Sequence, residues 1–151
     1  MDPFQHLALH SPVFDAMFYG GYEEKEKKEI EIKDVDHEEF EELLHVLYPS
    51  FKPIKDDTVK FLLCIADRFE IKKITDDAEQ FLMESDDFTV PQKFQIADQY
   101  RLYKLQNHCL AELNTARKVT AMKTEEEYKS LSDISKVALL EQIIRLMDED
   151  D

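Results

Sequence analysis

Residues 65–74 read IADRFEIKKI and residues 96–105 read IADQYRLYKL, so one ten-residue pattern occurs twice, 31 positions apart. In each copy an aromatic residue, Phe69 or Tyr100, follows an apolar stretch with helical spacing. The pattern predicts a helix, a tight turn and a second helix, with the aromatic residue closing the first helix. An aliphatic residue two positions later is predicted to fill the corner. Such hairpins are typical of helical repeat proteins, but no third copy follows, so a long solenoid is not predicted.

The composition favours one compact, helix-rich domain. The 151 residues include only 2 glycines, with 43% hydrophobic and 35% charged residues. A β-sandwich or barrel needs many turns with positive φ, and a phosphate-binding loop needs closely spaced glycines. The scarcity of glycine therefore argues against both. A chain of this length can bury a hydrophobic core without help from disulfides or metals.

The charge of the chain excludes some classes of partner. The 34 acidic and 19 basic residues give a formal net charge of −15. A negative field repels phosphate backbones and anionic lipids, so neither nucleic acid nor a membrane is an expected partner. The sequence contains no long apolar run, and no signal peptide is predicted from it. Cys64 and Cys109 lie in apolar helical patterns, which predicts two core residues in a reducing compartment, the cytoplasm or the nucleus.

The N-terminal region is apolar from residue 4 to residue 19 and must be covered by other parts of the fold. Ser11 followed by Pro12 predicts a helix start, because a serine side chain caps the first turn and proline suits it. Gly20 and Gly21 predict the end of that helix.

Further elements follow from local patterns. The alternation of apolar and charged residues over 30–35 predicts a short, half-buried strand, which would need a pairing partner. Helix starts are predicted at Asp36, at Asp57 or Thr58, and at Thr89, with helices also from about Ile74 to Met83 and near the C-terminus. In that last segment, one helical stripe carries Ile134, Val137, Leu140, Ile144 and Met147.

No residue pattern indicates catalysis or a cofactor. His6 and His10 are four residues apart, but no further ligand accompanies them, so an ordinary polar pair is preferred to a metal site. Asp34, Asp36 and Glu38 begin like a calcium loop, yet its glycine and its final glutamate are missing. No nucleophile elbow, P-loop or dinucleotide motif occurs. An enzyme is not predicted.

The segment Tyr22-Glu23-Glu24 follows the two glycines and leads into a charged run. An exposed tyrosine beside a carboxylate is a plausible anchor for a protein partner. The alternative is that Tyr22 folds under its own loop. The residues alone leave both interpretations open.

Several motifs together resemble the BTB/POZ domain. Residues 7–18, LALHSPVFDAMF, resemble a helix signature of that family, and the predicted strand over 29–35 and the helix over 40–48 follow in the family's order. The duplicated hairpin is similar to the domain's core hairpin followed by its helical extension. The resemblance covers roughly residues 5–147 and is nearest to the nematode type that often carries a MATH domain.

This resemblance implies a mostly α (α+β) fold, with a helical cluster, a reduced small β-sheet and a C-terminal helical extension. It implies a BTB/POZ domain over residues 1–86, the extension over 87–147 and an acidic tail over 148–151. The family normally has further strands before this point, so a truncated domain is expected. Such a domain could dimerise weakly, pair with a full-length relative or be a decayed gene product.

The resemblance also implies partners. BTB domains commonly form homodimers or heterodimers through their first helices, which correspond here to Leu7, Leu9, Phe14, Met17 and Phe18. Many bind cullin-3 as adaptors of cullin-RING ubiquitin ligases, through a motif of a hydrophobic residue, any residue and glutamate. Tyr22 and Glu24 match that motif, and Phe69 matches a second part of the contact face. The alternative is a BTB-derived oligomerisation partner that binds no cullin.

Overall fold

The computed structural model describes residues 3–20, 31–48 and 52–150, and these residues are predominantly helical. Their α-helices are α1 (Pro3–His10), α2 (Pro12–Tyr19), α3 (His37–Leu47), α4 (Val59–Arg68), α5 (Lys72–Glu84), α6 (Val90–Tyr100), α7 (Tyr103–Glu112), α8 (Ala116–Met122) and α9 (Asp133–Glu149). A 3-10 helix at Glu126–Ser130 precedes α9. The mostly helical fold predicted from the sequence is confirmed.

The contacts divide the chain into two compact units. The first unit extends to Ala78 and the second begins at Glu79, so the division lies within α5. The domain limits of 1–86 and 87–147 stay a prediction. Each unit has its own buried apolar residues and is described separately.

The core of the first unit is built where α1 packs on α2 and α3 packs on α4. The fully buried ring of Phe14 lies near its centre, between the rings of Phe18 and Phe69, with centroid distances of 5.4 and 4.4 Å. The other buried members are Leu7, Leu43, Val46, Leu47, Leu62, Ile65, Ala66, Ile71 and Ile74. The apolar N-terminal region is thus covered by α3, α4 and the start of α5, because these residues come from all of these helices.

The start of α2 is fixed by Ser11, as the sequence predicts. Its hydroxyl accepts a hydrogen bond from the Phe14 amide at 3.0 Å and donates one to the Phe69 carbonyl. Pro12 occupies the first turn, and α2 ends before Gly20. One buried hydroxyl therefore caps α2 and also ties it to the end of α4.

The predicted strand over 30–35 is wrong for the residues that the structure describes. Residues 31–36 form a turn at Lys33 and Asp34, with Asp34 at a φ of 59°, and no strand occurs within 3–20, 31–48 and 52–150. The Arg68 guanidinium donates to the Lys33 carbonyl at 2.6 Å and to the Asp34 carbonyl at 3.1 Å. These carbonyls are satisfied by a side chain instead of a neighbouring strand. Residues 29 and 30 lie outside the described ranges.

The two copies of the repeat form matching corners, as predicted. Between α4 and α5, the Ile71 amide donates to the Ala66 carbonyl at 2.8 Å. Between α6 and α7, the Leu102 amide donates to the Ala97 carbonyl, also at 2.8 Å. The aliphatic residues that follow each corner are buried. Each bond closes the end of the first helix of its hairpin.

Both corners use a left-handed residue that is not glycine. Glu70 has a φ of 52° and Arg101, at the equivalent position of the second copy, has a φ of 57°. Residues with a Cβ atom occupy this region at a cost, which is why glycine is usual there. The chain therefore makes two turns of the kind in which glycine is usual, without using glycine in either.

In the second unit, α6 packs on α7 and on the 3-10 helix, and α8 packs on α9. Thr89 begins α6 with a capping box completed by Gln92, which confirms the predicted helix start. The carboxylate of Asp98 in α6 accepts bonds from the Ser132 amide at 2.9 Å and from the hydroxyls of Ser132 and Ser135 at 2.5 Å. Asp98 thereby fixes the start of α9 against α6.

The C-terminal helix α9 is present as predicted, but its apolar stripe does not face the core. Its buried residues are Ser135, Leu139 and Gln142. The side-chain amide of Gln142 donates to the carbonyls of Leu110 and Leu113, at 3.0 and 3.1 Å, so polar as well as apolar contacts hold the helix. None of the helices within the described residues combines the length and apolarity needed to cross a membrane.

Candidate protein-interaction surfaces

The structure divides the five residues predicted for a dimer interface on α1 and α2. Leu7, Phe14 and Phe18 are buried in the core of their own chain, so their side chains cannot also face a partner. Leu9 is 68% exposed, and Met17 is partly buried against the core. A dimer surface stays a prediction, now restricted to Leu9 and Met17, and the other three residues are core residues.

Two further exposed aromatic residues lie on the same two helices and were missed in the sequence. Phe4 in α1 and Tyr19 at the end of α2 are both exposed, and the rings of Phe4 and Phe18 lie 4.8 Å apart between centroids. In so apolar a stretch, periodicity could not separate the core face from the outer face. We call Phe4, Leu9, Met17 and Tyr19 the α1–α2 surface.

The predicted cullin-contact segment lies outside the described residues. Tyr22 and Glu24 come after Gly20, the residue that follows α2 and the last one described before them. Both interpretations of Tyr22 therefore remain predictions. What the structure describes is the support: α2 is held at its start by Ser11 and on its inner face by Phe14.

Phe69, the third predicted cullin-contact residue, is a core residue. Its side chain is only 2% exposed, and its ring stacks on Phe14 with an interplanar angle of 12°. Arg68 is the last residue of α4, and its guanidinium carbon lies 4.9 Å from the centroid of the Phe69 ring. The prediction that the Phe69 side chain contacts a partner directly is therefore wrong, and the exposed side chains next to it include those of Arg68 and Glu70.

The paired histidines have structural partners. The rings of His6 and His10 lie 5.0 Å apart, and His6 also stacks on Tyr48 and has its Nε2 atom 3.0 Å from the Leu47 carbonyl oxygen. Burial, helped by the neighbouring His6 and Lys73, holds the pKa of His10 below its usual value. In the described ranges, no three His, Cys, Asp or Glu side chains group as they would around a metal ion.

The two cysteines differ, contrary to the prediction that both are core residues. Cys64 is exposed on α4, while Cys109 is fully buried in α7. Burial raises the pKa of the Cys109 thiol to about 12, with a further contribution from Glu112. The residues next to Cys64 in the sequence are apolar, but Cys64 itself lies on the face of α4 opposite to the buried residues.

Comparison with known proteins identifies the fold. The BTB/POZ domain profile matches residues 6–86. BTB and MATH domain-containing protein 38 of Caenorhabditis elegans is 47% identical over 142 residues, covering 94% of this chain and 37% of that protein. BTB and MATH domain-containing protein 36 of the same organism is 42% identical, covering 96% of this chain and 45% of that protein.

A further similarity covers a shorter part of the chain. Kelch-like protein 40 of Xenopus tropicalis is 37% identical over 78 residues, covering 52% of this chain and 13% of that protein. The chain spans less than half the length of these relatives. The matched profile covers more than half of this chain and includes the buried core residues of the first unit. This chain belongs to the BTB/POZ domain family.

Proposed function

We propose that this chain, a protein-interaction module, binds cullin-3 as the adaptor subunit of a cullin-RING ubiquitin ligase. The observation that carries the proposal is the BTB/POZ match over residues 6–86, which includes the Tyr22-Glu23-Glu24 motif. Domains of this family are interaction modules, which supports a binding role and not an enzymatic one.

The contacts around α2 support the proposal because they hold the helix that precedes the motif. Ser11 binds the Phe69 carbonyl, and Phe14 stacks on the Phe69 ring, so α2 is joined to the α4–α5 corner by a hydrogen bond and by ring packing. A rigid helix lowers the entropy lost when the residues that follow it dock. In this proposal Tyr22 is the apolar anchor, Glu24 supplies the charge, and Phe69 acts as a positioning residue through Phe14.

The test measures affinity for the N-terminal domain of cullin-3 by biolayer interferometry. We expect Tyr22→Asp and Glu24→Lys each to weaken binding at least tenfold, because central anchor residues carry much of the energy of an interface. Matched controls are Tyr103→Asp, at a tyrosine that is 67% exposed, and Glu125→Lys, at an exposed glutamate.

The possible outcomes distinguish the role of Tyr22 and Glu24 from the proposed binding of cullin-3 itself. Equal binding by wild type, both motif variants and both controls would remove Tyr22 and Glu24 from the role. Absence of binding by the wild-type chain would overturn the cullin proposal itself. Circular dichroism of each variant checks that the fold is intact.

A second candidate function is oligomerisation without cullin, and the α1–α2 surface favours it. Leu9 is 68% exposed in a helix whose opposite face is core, and Phe4 and Tyr19 are exposed nearby in the same helix pair. Exposed apolar residues of an interaction module are candidates for a protein interface. Light scattering should show that Leu9→Asp shifts the chain towards monomer, whereas a monomeric wild type would contradict this role.

A further inference from the structure

Two neighbouring residues at the end of α4 contact the parts of the chain that come before and after residues 21–30. Phe69 contacts α2 on one side, through its carbonyl and its ring. Arg68 contacts residues 31–36 on the other side, through its guanidinium. Both described neighbours of the segment that carries the proposed cullin motif are therefore held at one corner of the fold.

The Arg68 guanidinium satisfies two backbone carbonyls of the turn within residues 31–36. Its Nη2 atom donates to the Lys33 carbonyl at 2.6 Å, and its Nη1 atom donates to the Asp34 carbonyl at 3.1 Å. A charged donor makes a stronger hydrogen bond than a neutral one, and the planar guanidinium binds two acceptors in a fixed geometry. Ile32 and Val35, which flank these two residues, are partly buried against the core of the first unit. The side chains on both sides of the turn are thus held by apolar contacts, and its backbone is held by Arg68.

The backbone conformation of Asp34 makes the turn dependent on these bonds. Its φ of 59° lies in the left-handed region, which a residue with a Cβ atom adopts at a cost. Such a conformation persists where the surrounding contacts stabilise it. Loss of the guanidinium would therefore favour other backbone conformations at Lys33 and Asp34.

The guanidinium is itself placed by an aromatic ring. Its carbon lies 4.9 Å from the centroid of the Phe69 ring, and a cation near an aromatic face is attracted to it. Phe69 in turn stacks on Phe14 of α2. One continuous set of contacts therefore joins α2, the end of α4 and the turn.

We infer that Arg68 is a positioning residue for the binding of cullin-3, because it fixes the chain that follows the motif as Phe69 fixes the helix that precedes it. This role rests on the proposed function. A segment whose two flanks are held loses less conformational entropy when it docks, and association is faster when binding needs no rearrangement. Loss of Arg68 should therefore weaken binding chiefly through the association rate constant.

Binding kinetics of the full chain with the N-terminal domain of cullin-3 test this role. Arg68→Gln should lower the association rate constant by roughly threefold or more. Arg68→Lys keeps a cation beside the Phe69 ring but has one nitrogen in place of the fork, so it should also weaken binding. Binding of Arg68→Lys at the wild-type level would overturn the positioning role, because it would show that only the charge of Arg68 matters. Arg117→Gln, at an exposed arginine of α8, is the matched control and should bind like wild type.

Substitutions at Asp34 test the same contact from the turn. Asp34→Pro excludes a positive φ and should reproduce the defect of Arg68→Gln although Arg68 is intact. Asp34→Gly adopts a positive φ readily and should bind like wild type. Equal binding by the proline and glycine variants would overturn the role of the turn. If Arg68→Gln does not fold, these two variants decide the question.

Limited digestion with trypsin provides a readout that does not need cullin-3. The protease attacks the carbonyl of the residue before the cleaved bond, and the Lys33 carbonyl is the one that Arg68 binds at 2.6 Å. Arg68→Gln should raise the rate of cleavage after Lys33 by roughly fivefold, because cleavage follows the population of the open turn. Mass spectrometry measures this rate, and cleavage after the exposed Lys123, which follows α8, should not change.

The two measurements distinguish failure of the Arg68 role from failure of the proposed function. Unchanged cleavage after Lys33, or faster cleavage with unchanged binding of cullin-3, would overturn the positioning role and leave cullin binding in place. A wild-type chain that does not bind cullin-3 would overturn the proposed function and, with it, the role of Arg68 in binding. Circular dichroism of each variant checks that its helices are intact.

Discussion

The rings of Phe14 and Phe69 stack with their centroids 4.4 Å apart and their planes inclined by 12°. They connect α2 to the corner that follows α4, and both are almost completely buried. The contact joins the segment leading to the proposed cullin motif with the first hairpin of the repeat. A substitution at either residue therefore acts first on the fold and only then on binding.

Removal of one ring should destabilise the chain strongly. We expect Phe14→Ala to lower the free energy of unfolding by about 3–5 kcal/mol, because the truncation leaves a cavity where three aromatic rings meet. Urea unfolding followed by circular dichroism measures the loss. Leu9→Ala, on an exposed site, should change it by no more than about 0.5 kcal/mol. An unchanged midpoint for Phe14→Ala would contradict the packing described for α2.

The left-handed corners offer a stabilising substitution. Glu70→Gly and Arg101→Gly should each raise the stability of the chain by about 1 kcal/mol, because glycine adopts positive φ without the Cβ penalty. The gain is reduced by the greater entropy of glycine in the unfolded state. Alanine at the same positions keeps the Cβ atom and should give no gain. Equal thermal midpoints for the glycine and alanine variants would refute this account of the corners.

The Asp98 carboxylate should stabilise the folded state more at neutral pH than in acid. Burial on its own would raise its pKa, but the hydrogen bonds from Ser132 and Ser135 outweigh it and lower the pKa below the usual value. The folded state then binds the proton less readily than the unfolded state, so this stabilisation is present above the ordinary pKa and is lost as the pH falls through the folded value.

We therefore expect Asp98→Ala to lower the free energy of unfolding by about 1–3 kcal/mol at pH 7, with a smaller difference in acid. Urea titrations at pH 7 and at pH 3 measure both values. Asp133→Ala, at an exposed carboxylate in the first turn of α9, is the control for general charge effects. A difference from wild type that stays constant with pH would contradict the bonded role of Asp98.

His10 should make the first unit sensitive to mild acid. Because its pKa is lowered in the folded state, folding is favoured while the imidazole is neutral, and this contribution is complete above the unfolded value near 6.5. It is lost as the pH falls from there towards the folded pKa. The urea midpoint should fall between pH 7.5 and about pH 5.5 in wild type and fall less in His10→Gln. Parallel pH profiles would show that His10 does not contribute.

Helix starts were the most predictable part of the fold, because their causes are local. Ser11, Asp36 and Thr89 all accept amide hydrogen bonds at the first turns of their helices, as their residue types and spacing indicate. The repeat likewise predicted its two corners correctly. Its short-range hydrogen bonds depend on residues that are adjacent in the sequence.

What depends on distant parts of the chain was less predictable. The turn at Lys33 and Asp34 is held by Arg68. The alternation of apolar residues in this segment does not reveal that the two carbonyls bond to a guanidinium instead of to a neighbouring strand. The family resemblance assigned Phe69 to a contact face for cullin, whereas its ring packs against Phe14 in the core, as the helical spacing around it indicates. On α9 the stripe was correctly located, but periodicity alone does not say whether the face that it marks is covered within the chain.

Cys64 is exposed and Cys109 is buried, so thiol alkylation can be used to follow local unfolding of this chain. Cys64 is exposed and open to alkylating reagents, while the buried Cys109, with a pKa of about 12, has almost no thiolate and no access to solvent. In a Cys64→Ser chain, the rate of alkylation would report how often α7 opens. Mass spectrometry could thus follow the second unit during partner binding without any added label.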